Sequence, residues 1–200
     1  MKFTAKILSL VIAFATILNL LISCDKAPQM PKPSTYLRLK LDKPQYTIFQ
    51  NADYPFTFMR PIYAEYEPLN SGSKEVKWFN LNFKNYHFVA NVSVIPIHNI
   101  SDLNASVNDQ HTFLHRHEKL SGGIVSTEYA NKEKKVYATT FDIKGKDVVS
   151  PYQFYITDSS KYFVRVALNC TFIPNNDSCE VVVNQLKEDL NYMIQTFEWK

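Results

Sequence analysis

The sequence predicts an α+β fold: a mainly antiparallel β-sheet covered by two main helices. Three observations carry this expectation. From Tyr36 to Leu168 apolar residues recur largely with period two, in strand-length runs separated by turn residues. In the second half, successive runs are joined by turns too short for a parallel crossover, so those strands should be antiparallel. Two other segments, 101–120 and 177–197, repeat their apolar residues at helical spacing, and a helix with one apolar face needs a partner to cover.

In chain order, residues 1–23 read as a cleavable signal peptide. Lys2 and Lys6 form a basic head, no acid precedes Asp25, and Ile7 to Ile22 is apolar except for Ser9, Thr16 and Asn19. This run is of signal-peptide length, short for a spanning helix. It ends Leu21-Ile22-Ser23-Cys24, with an aliphatic residue at −3, a small one at −1 and Cys at +1, the pattern of a bacterial lipobox. Cys24 is therefore expected to carry lipid as the first residue of the mature chain. The alternatives are an ordinary signal peptide with an incidental cysteine, or an uncleaved anchor. Residues 24–35, with Pro28, Pro31 and Pro33, read as an extended tether, and 36–200 as a single globular domain.

Within that domain, Tyr36 to Leu41 alternates as a half-buried strand does, and Phe56–Met59, Val76–Phe83 and Tyr86–Pro96 are aromatic and β-branched runs. Pro61 to Ser73 is irregular and reads as a loop or an edge element. Between 101 and 120, Leu103, Val107 and Leu114 lie at helical spacing, Ser101 or Asp102 caps the start, and Gly122-Gly123 ends the segment. Four strands are expected next, at Ile124–Tyr129, Lys135–Ile143, Tyr152–Thr157 and Lys161–Leu168. Their turns are Asn131–Lys134, Lys144–Asp147 and the Asp158-Ser159-Ser160 hairpin. The terminal helix opens with Asp177 and Glu180 as a capping box and carries the stripe Val183, Leu186, Leu190, Met193, Ile194 and Phe197.

Composition narrows the function. Apolar residues make up 46% and aromatics 14%, enough for a packed core. The formal net charge of +3 falls when Lys2 and Lys6 leave with the leader, so no basic footprint for nucleic acid remains. With only 4 glycines in the chain, a glycine-rich phosphate loop has almost no material. Once Cys24 is lipidated, Cys170 and Cys179 remain as an even pair outside the cytoplasm. They read as a disulfide, with two free thiols as the alternative.

Chemistry is harder to find. His111 and His115 share a helix face at i, i+4, a spacing that suits a transition metal, but no third ligand is identifiable. No Gly-x-Ser-x-Gly elbow is present, and Asp158-Ser159-Ser160 is explained by its turn. Glu188, Asp189, Asp53 and Glu65 read as solvated surface acids. Asn91, Asn99, Asn104 and Asn169 open glycosylation triplets that carry no default meaning behind a bacterial lipobox. Tyr63, Tyr66, Trp78 and Trp199 suit core packing better than a binding surface.

The second half carries a more specific pattern. Asn131-Lys132-Glu133-Lys134-Lys135-Val136-Tyr137, and Ser150-Pro151-Tyr152-Gln153-Phe154 continuing to Thr157-Asp158-Ser159-Ser160-Lys161-Tyr162-Phe163-Val164-Arg165, resemble the gliding-motility-associated lipoprotein family GldD of the Bacteroidetes. Ile173 to Ser178, Thr196 to Lys200, the Pro31-Lys32-Pro33 spacer and His117 are similar to it too. Pro151, Gln153, Asp158, Ser159, Lys161 and Arg165 are the motif positions at turns and surfaces. Where family members often carry cysteines, this chain has Tyr54 and Lys77.

The resemblance implies a non-enzymatic lipoprotein of the gliding and type IX secretion machinery, with no cofactor. It would be held at a membrane by Cys24, facing the periplasm, and would act through contacts with other envelope proteins. The outer membrane is slightly favoured, although Asp25 at +2 marks inner-membrane retention in some bacteria. Two other readings stand beside it: a periplasmic metal-dependent hydrolase using His111 and His115, and a small-ligand-binding lipoprotein. At the level of fold, hairpins followed by a terminal amphipathic helix suggest a PsbP/Mog1-like α/β sandwich, an analogy that carries no function.

Overall fold

A computed structural model describes residues 43–118, 121–145, 148–171 and 176–200, without the side chains of 116–118 and 176–178. Cys24 and the expected strand Tyr36–Leu41 lie outside the described residues, as does the side chain of Asp177.

The strands are β1 (Tyr46–Gln50), β2 (Phe56–Pro61), β3 (Glu65–Leu69), β4 (Lys77–Phe83), β5 (Phe88–Pro96), β6 (Gly123–Asn131), β7 (Val136–Lys144), β8 (Tyr152–Thr157), β9 (Tyr162–Cys170) and β10 (Glu198–Trp199). Among the described residues two α-helices complete the fold, α1 (Ile100–Glu118) between β5 and β6 and α2 (Asn176–Gln195) before β10. Seven strands form one sheet in the order β3-β4-β5-β9-β8-β7-β6, and every neighbouring pair is antiparallel. Two meanders thus meet along β5 and β9, whose register runs from Phe88 opposite Cys170 to Pro96 opposite Tyr162. α1 carries the chain from the middle of the sheet to its far edge.

The structure corrects the expectation of one sheet. β1, β2 and β10 form a separate three-stranded sheet, in which β2 pairs antiparallel with both of the others. Together with α2 it covers one face of the large sheet. Phe49, Phe56 and Phe58 of the small sheet, Leu186, Leu190 and Met193 of α2, and Phe79, Val92, Phe154 and Val166 of the large sheet make one buried cluster. Phe197 has left the helix, yet it stays fully buried and packs against Phe56 with ring centroids 4.9 Å apart. β3 is the exposed edge element expected within 61–73.

The opposite face divides in two. α1 covers the β7–β8 side, where Leu114 packs with Phe141, Ile143 and Val148. β8 buries five of its six residues and β9 six of its nine, so both lose the period-two signature that β4 and β5 keep. Over β4 and β5 no described element covers that face, which carries Asn80, Asn82, Asn91 and Ser93. The cap of α1 also differs from expectation: Asn99 Oδ1 accepts the Asp102 amide at 3.0 Å, while Asp102 Oδ2 accepts the His98 amide at 3.0 Å. Asn99, rather than Ser101, therefore opens the helix, with Asp102 as its reciprocal partner.

The Asp158 hairpin shows why that turn needs those residues. Asp158 Oδ1 accepts the amides of Ser160, Lys161 and Tyr162, and Ser159 adopts a left-handed φ of 65°. Partial burial disfavours the Asp158 carboxylate, but the three amide donors outweigh it and hold its pKa below the usual range. Asp142 follows the same logic. Lys187 Nζ at 2.6 Å and Lys144 Nζ at 2.7 Å outweigh its desolvation, lower its pKa and tie α2 to β7.

Candidate functional site

The motif positions separate into two places. Asp158, Ser159 and Lys161 belong to the hairpin, where the Lys161 carbonyl accepts the Ile97 amide at 2.7 Å. Gln153 and Arg165 lie on the α1-side face of the sheet, and Pro151 is buried beside the start of β8.

Gln153, only 1% exposed, anchors a polar relay. Its Oε1 accepts from Gln110 Nε2 at 3.1 Å and from Arg165 Nη2 at 3.4 Å. Its Nε2 donates to Ser150 Oγ at 3.1 Å, and that hydroxyl donates to the Leu168 carbonyl at 3.1 Å. Arginine can only donate and a carbonyl can only accept, so the direction of every bond in the relay is fixed. The Arg165 guanidinium stacks on Phe113 of α1, 3.9 Å from the ring centroid. Burial lowers its pKa, countered at longer range by Asp109. Among the described residues, Arg165 Nε and Gln110 Oε1 are buried without a hydrogen-bond partner.

Beside this relay an open cleft is lined by Asn91, Ser93, Ser150, Gln153, Arg165 and Asn169. The register explains its shape. One row across the sheet reads Asn91, Ala167, Gln153, and the next reads Ser93, Arg165, Tyr155. The small side chains of Ala167 and Ser93 leave a hollow between longer neighbours.

The cleft continues into an amide ladder. Asn169 Nδ2 donates to Asn91 Oδ1 at 2.6 Å, Asn91 Nδ2 to Asn80 Oδ1 at 2.7 Å, and Asn80 Nδ2 to Glu67 Oε2 at 3.3 Å. Asn82 Nδ2 reaches the same Glu67 oxygen at 2.9 Å, and these two amides lower the Glu67 pKa. A carboxylate at one end and the Ala167 carbonyl, 3.3 Å from Asn169 Nδ2, at the other orient every amide.

A second polar cluster overturns a sequence expectation. Asp189 is not a solvated acid: it is fully buried in α2. Tyr46 Oη donates to its Oδ1 at 2.8 Å, Tyr63 Oη donates to its Oδ2, and Gln185 Nε2 donates to Oδ1 at 3.3 Å. Burial raises the Asp189 pKa, and these donors only partly offset it. Burial and the Asp189 charge push both phenols upward as well. Glu188, Asp53 and Glu65 are exposed as expected.

His111 and His115 are both exposed on α1, and His111 meets Phe141 edge-on at 5.9 Å. Among the described residues no group of three or more His, Cys, Asp or Glu side chains is placed to hold a metal. Tyr63, Tyr66 and Trp199 pack against the core, whereas Trp78 is 41% exposed. Cys170 is buried at the end of β9 and Cys179 lies in the first turn of α2. Among the described residues no helix is long and apolar enough to cross a membrane.

Fold and site together define the class: an α+β domain whose polar groups line a cleft and form buried struts. The chain belongs to the gliding motility lipoprotein GldD family, whose model matches residues 26–199. Membership makes it a lipoprotein of gliding motility, anchored at a membrane of the cell envelope. Among solved structures, the solution structure of cyanobacterial PsbP (CyanoP) from Synechocystis is similar at 11% identity and a TM-score of 0.46, covering 80% of this chain and 96% of that one. A search of curated proteins finds no match.

Proposed function

We propose that this lipoprotein works without catalysis, as a membrane-tethered contact protein of the gliding and type IX secretion machinery. The family match, which begins at residue 26 just after the lipobox cysteine, carries this reading. The tether supplies the physical means. A domain held near a bilayer by a short proline-rich segment meets membrane partners at raised effective concentration, so modest interfaces suffice.

The fold offers a surface for such contacts. Among the described residues β6 is a nine-residue strand at the edge of the large sheet, mostly exposed, with Val125 at 56%. An edge of that length presents unpaired backbone groups to an incoming strand. A photo-crosslinking residue at Val125 in living cells is expected to form adducts with envelope proteins of the gliding apparatus. Adducts with lipid alone, or none above background, would count against contact through this edge.

The cysteine pair belongs to the same compartment. We propose that Cys170 and Cys179 are oxidised to a disulfide in the envelope, which would tie the end of β9 to the first turn of α2. Such a loop of about nine residues stabilises by roughly 2–3 kcal/mol in the chain-entropy picture. The intact mass of native protein should lie about 2 Da below the dithiol mass and rise on reduction, as loss of two hydrogens in forming one S–S bond requires. An unchanged mass would remove the bridge.

A further inference from the structure

We propose that the cleft between β5, β9 and β8 binds the carboxylate of a small polar ligand through Arg165. This goes beyond the contact function above and does not depend on it. The argument starts from what a structural role alone would require. Stacking on Phe113 uses only the flat face of the guanidinium, and an uncharged planar or apolar side chain would dock α1 with less desolvation. Instead the sequence keeps a cation there, half-buried at the wall of an open cleft. Among the described residues no carboxylate forms an ion pair with it; Asp109 acts only at longer range. Among the described residues its one acceptor is the amide oxygen of Gln153, a neutral group at 3.4 Å.

The surroundings are built rather than incidental. Gln153 and Ser150 are 1% and 2% exposed, and the relay to the Leu168 carbonyl holds them in one orientation. Ser93, directly opposite Arg165, and Ala167 in the next row are small enough to leave room for a group about the size of a carboxylate. Asn169 spends its Nδ2 on Asn91 and Ala167, so its remaining polar atom is the acceptor Oδ1. The cleft therefore offers one positive charge, neutral hydroxyl and amide groups, and an acceptor. A monoanion carrying its own N–H or O–H complements that set. A phosphate dianion would leave a charge unmatched. A peptide C-terminus and a sugar acid both present this chemistry.

The test uses full-length lipidated protein in detergent micelles, labelled with nitrogen-15, and follows the Arg165 Nε resonance. The probes are acetyl-alanyl-alanine with a free carboxylate, its C-terminal amide, glucuronate and glucose. One or both carboxylates should shift the resonance saturably, while the amide and glucose bind at least about tenfold more weakly, as loss of a charge-assisted hydrogen bond implies. The tighter carboxylate then identifies the source as peptide or sugar. Arg165→Gln should abolish the response as seen on neighbouring backbone amides. Because that variant also alters the Phe113 stack, Ser93→Phe serves as a second one, filling the cleft from β5 while Arg165, Gln153 and Phe113 stay in place. It should lose binding with an unchanged melting temperature. No saturable shift with either carboxylate, equal response to the neutral analogues, or full binding by Ser93→Phe would overturn the proposal.

Discussion

Cys24→Ala, expressed behind an ordinary cleavable leader so that the apolar segment cannot remain as an anchor, should move the protein from the membrane to the soluble envelope fraction and stop gliding. The Cys24 thiol is the nucleophile that would receive a diacylglyceryl group, and each buried acyl methylene contributes about 0.8 kcal/mol. More than one chain makes attachment effectively permanent, whereas the described domain has no helix able to replace it. Contacts that the tether had made intramolecular would then have to form from dilute solution, a loss of roughly 10²–10⁴ in avidity. Fractionation locates the protein and spreading of colonies reads its function. A soluble form that supports normal gliding would show that the anchor is dispensable and that the domain acts elsewhere.

How much of this was legible in the sequence depends on whether the signal is local. The strands of the large sheet are written in alternation, as in Trp78-Phe79-Asn80-Leu81-Asn82-Phe83, where Phe79, Leu81 and Phe83 are buried and the residues between them are not. β1 and β10 carry too few residues to show a period, and their sheet exists only because β2 accepts one on each side. The cleft was invisible for a different reason. Asn91, Ser93, Arg165 and Gln153 come together through the pairing of β5 with β9 and β9 with β8, and register across distant segments is not encoded in any window. The resemblance did mark Gln153 and Arg165, but it could not say that they face α1 while Asp158 and Lys161 shape a turn.

Two buried polar residues, Asp189 and Gln110, do leave a trace in the sequence. Asp189 lies three residues after Leu186 and four before Met193, inside the apolar spacing of α2 rather than beside it. Gln110 stands in the same relation to Val107 and Leu114 of α1, and it is also fully buried. A polar residue at a core position of an amphipathic helix signals a buried partner, and here the partners are Tyr46 and Tyr63 in one case and Gln153 in the other.

Asp189 is therefore expected to be among the most sensitive positions in the domain. Asp189→Leu removes the acceptor of two phenols and of Gln185 at once, leaving polar hydrogens facing an apolar side chain. Depriving two phenols and an amide of one buried acceptor costs on the order of 3–5 kcal/mol in all, about 1–3 kcal/mol for each donor left unsatisfied. For a domain of this size the melting temperature should fall by about 10 °C. The pH dependence separates the charge from the packing. Because the native state raises the Asp189 pKa, the folded form holds this proton more tightly than the unfolded chain, whose aspartates titrate at about 3.9. The contribution favouring the fold is complete below that value. It fades as pH rises toward the native pKa, and then stays constant. Asp142 and Asp158, with lowered pKa values, act in the opposite sense and lose their contribution as pH falls. Subtracting the profile of Asp189→Asn, which keeps the shape without the charge, cancels those two and leaves Asp189 alone. The difference in melting temperature, wild type minus variant, should decline as pH rises above about 4 and then level off. Parallel profiles from pH 4 to 8 would mean that Asp189 titrates alike in both states, and the strut between the small sheet and α2 would then rest on hydrogen bonds whose strength is blind to charge.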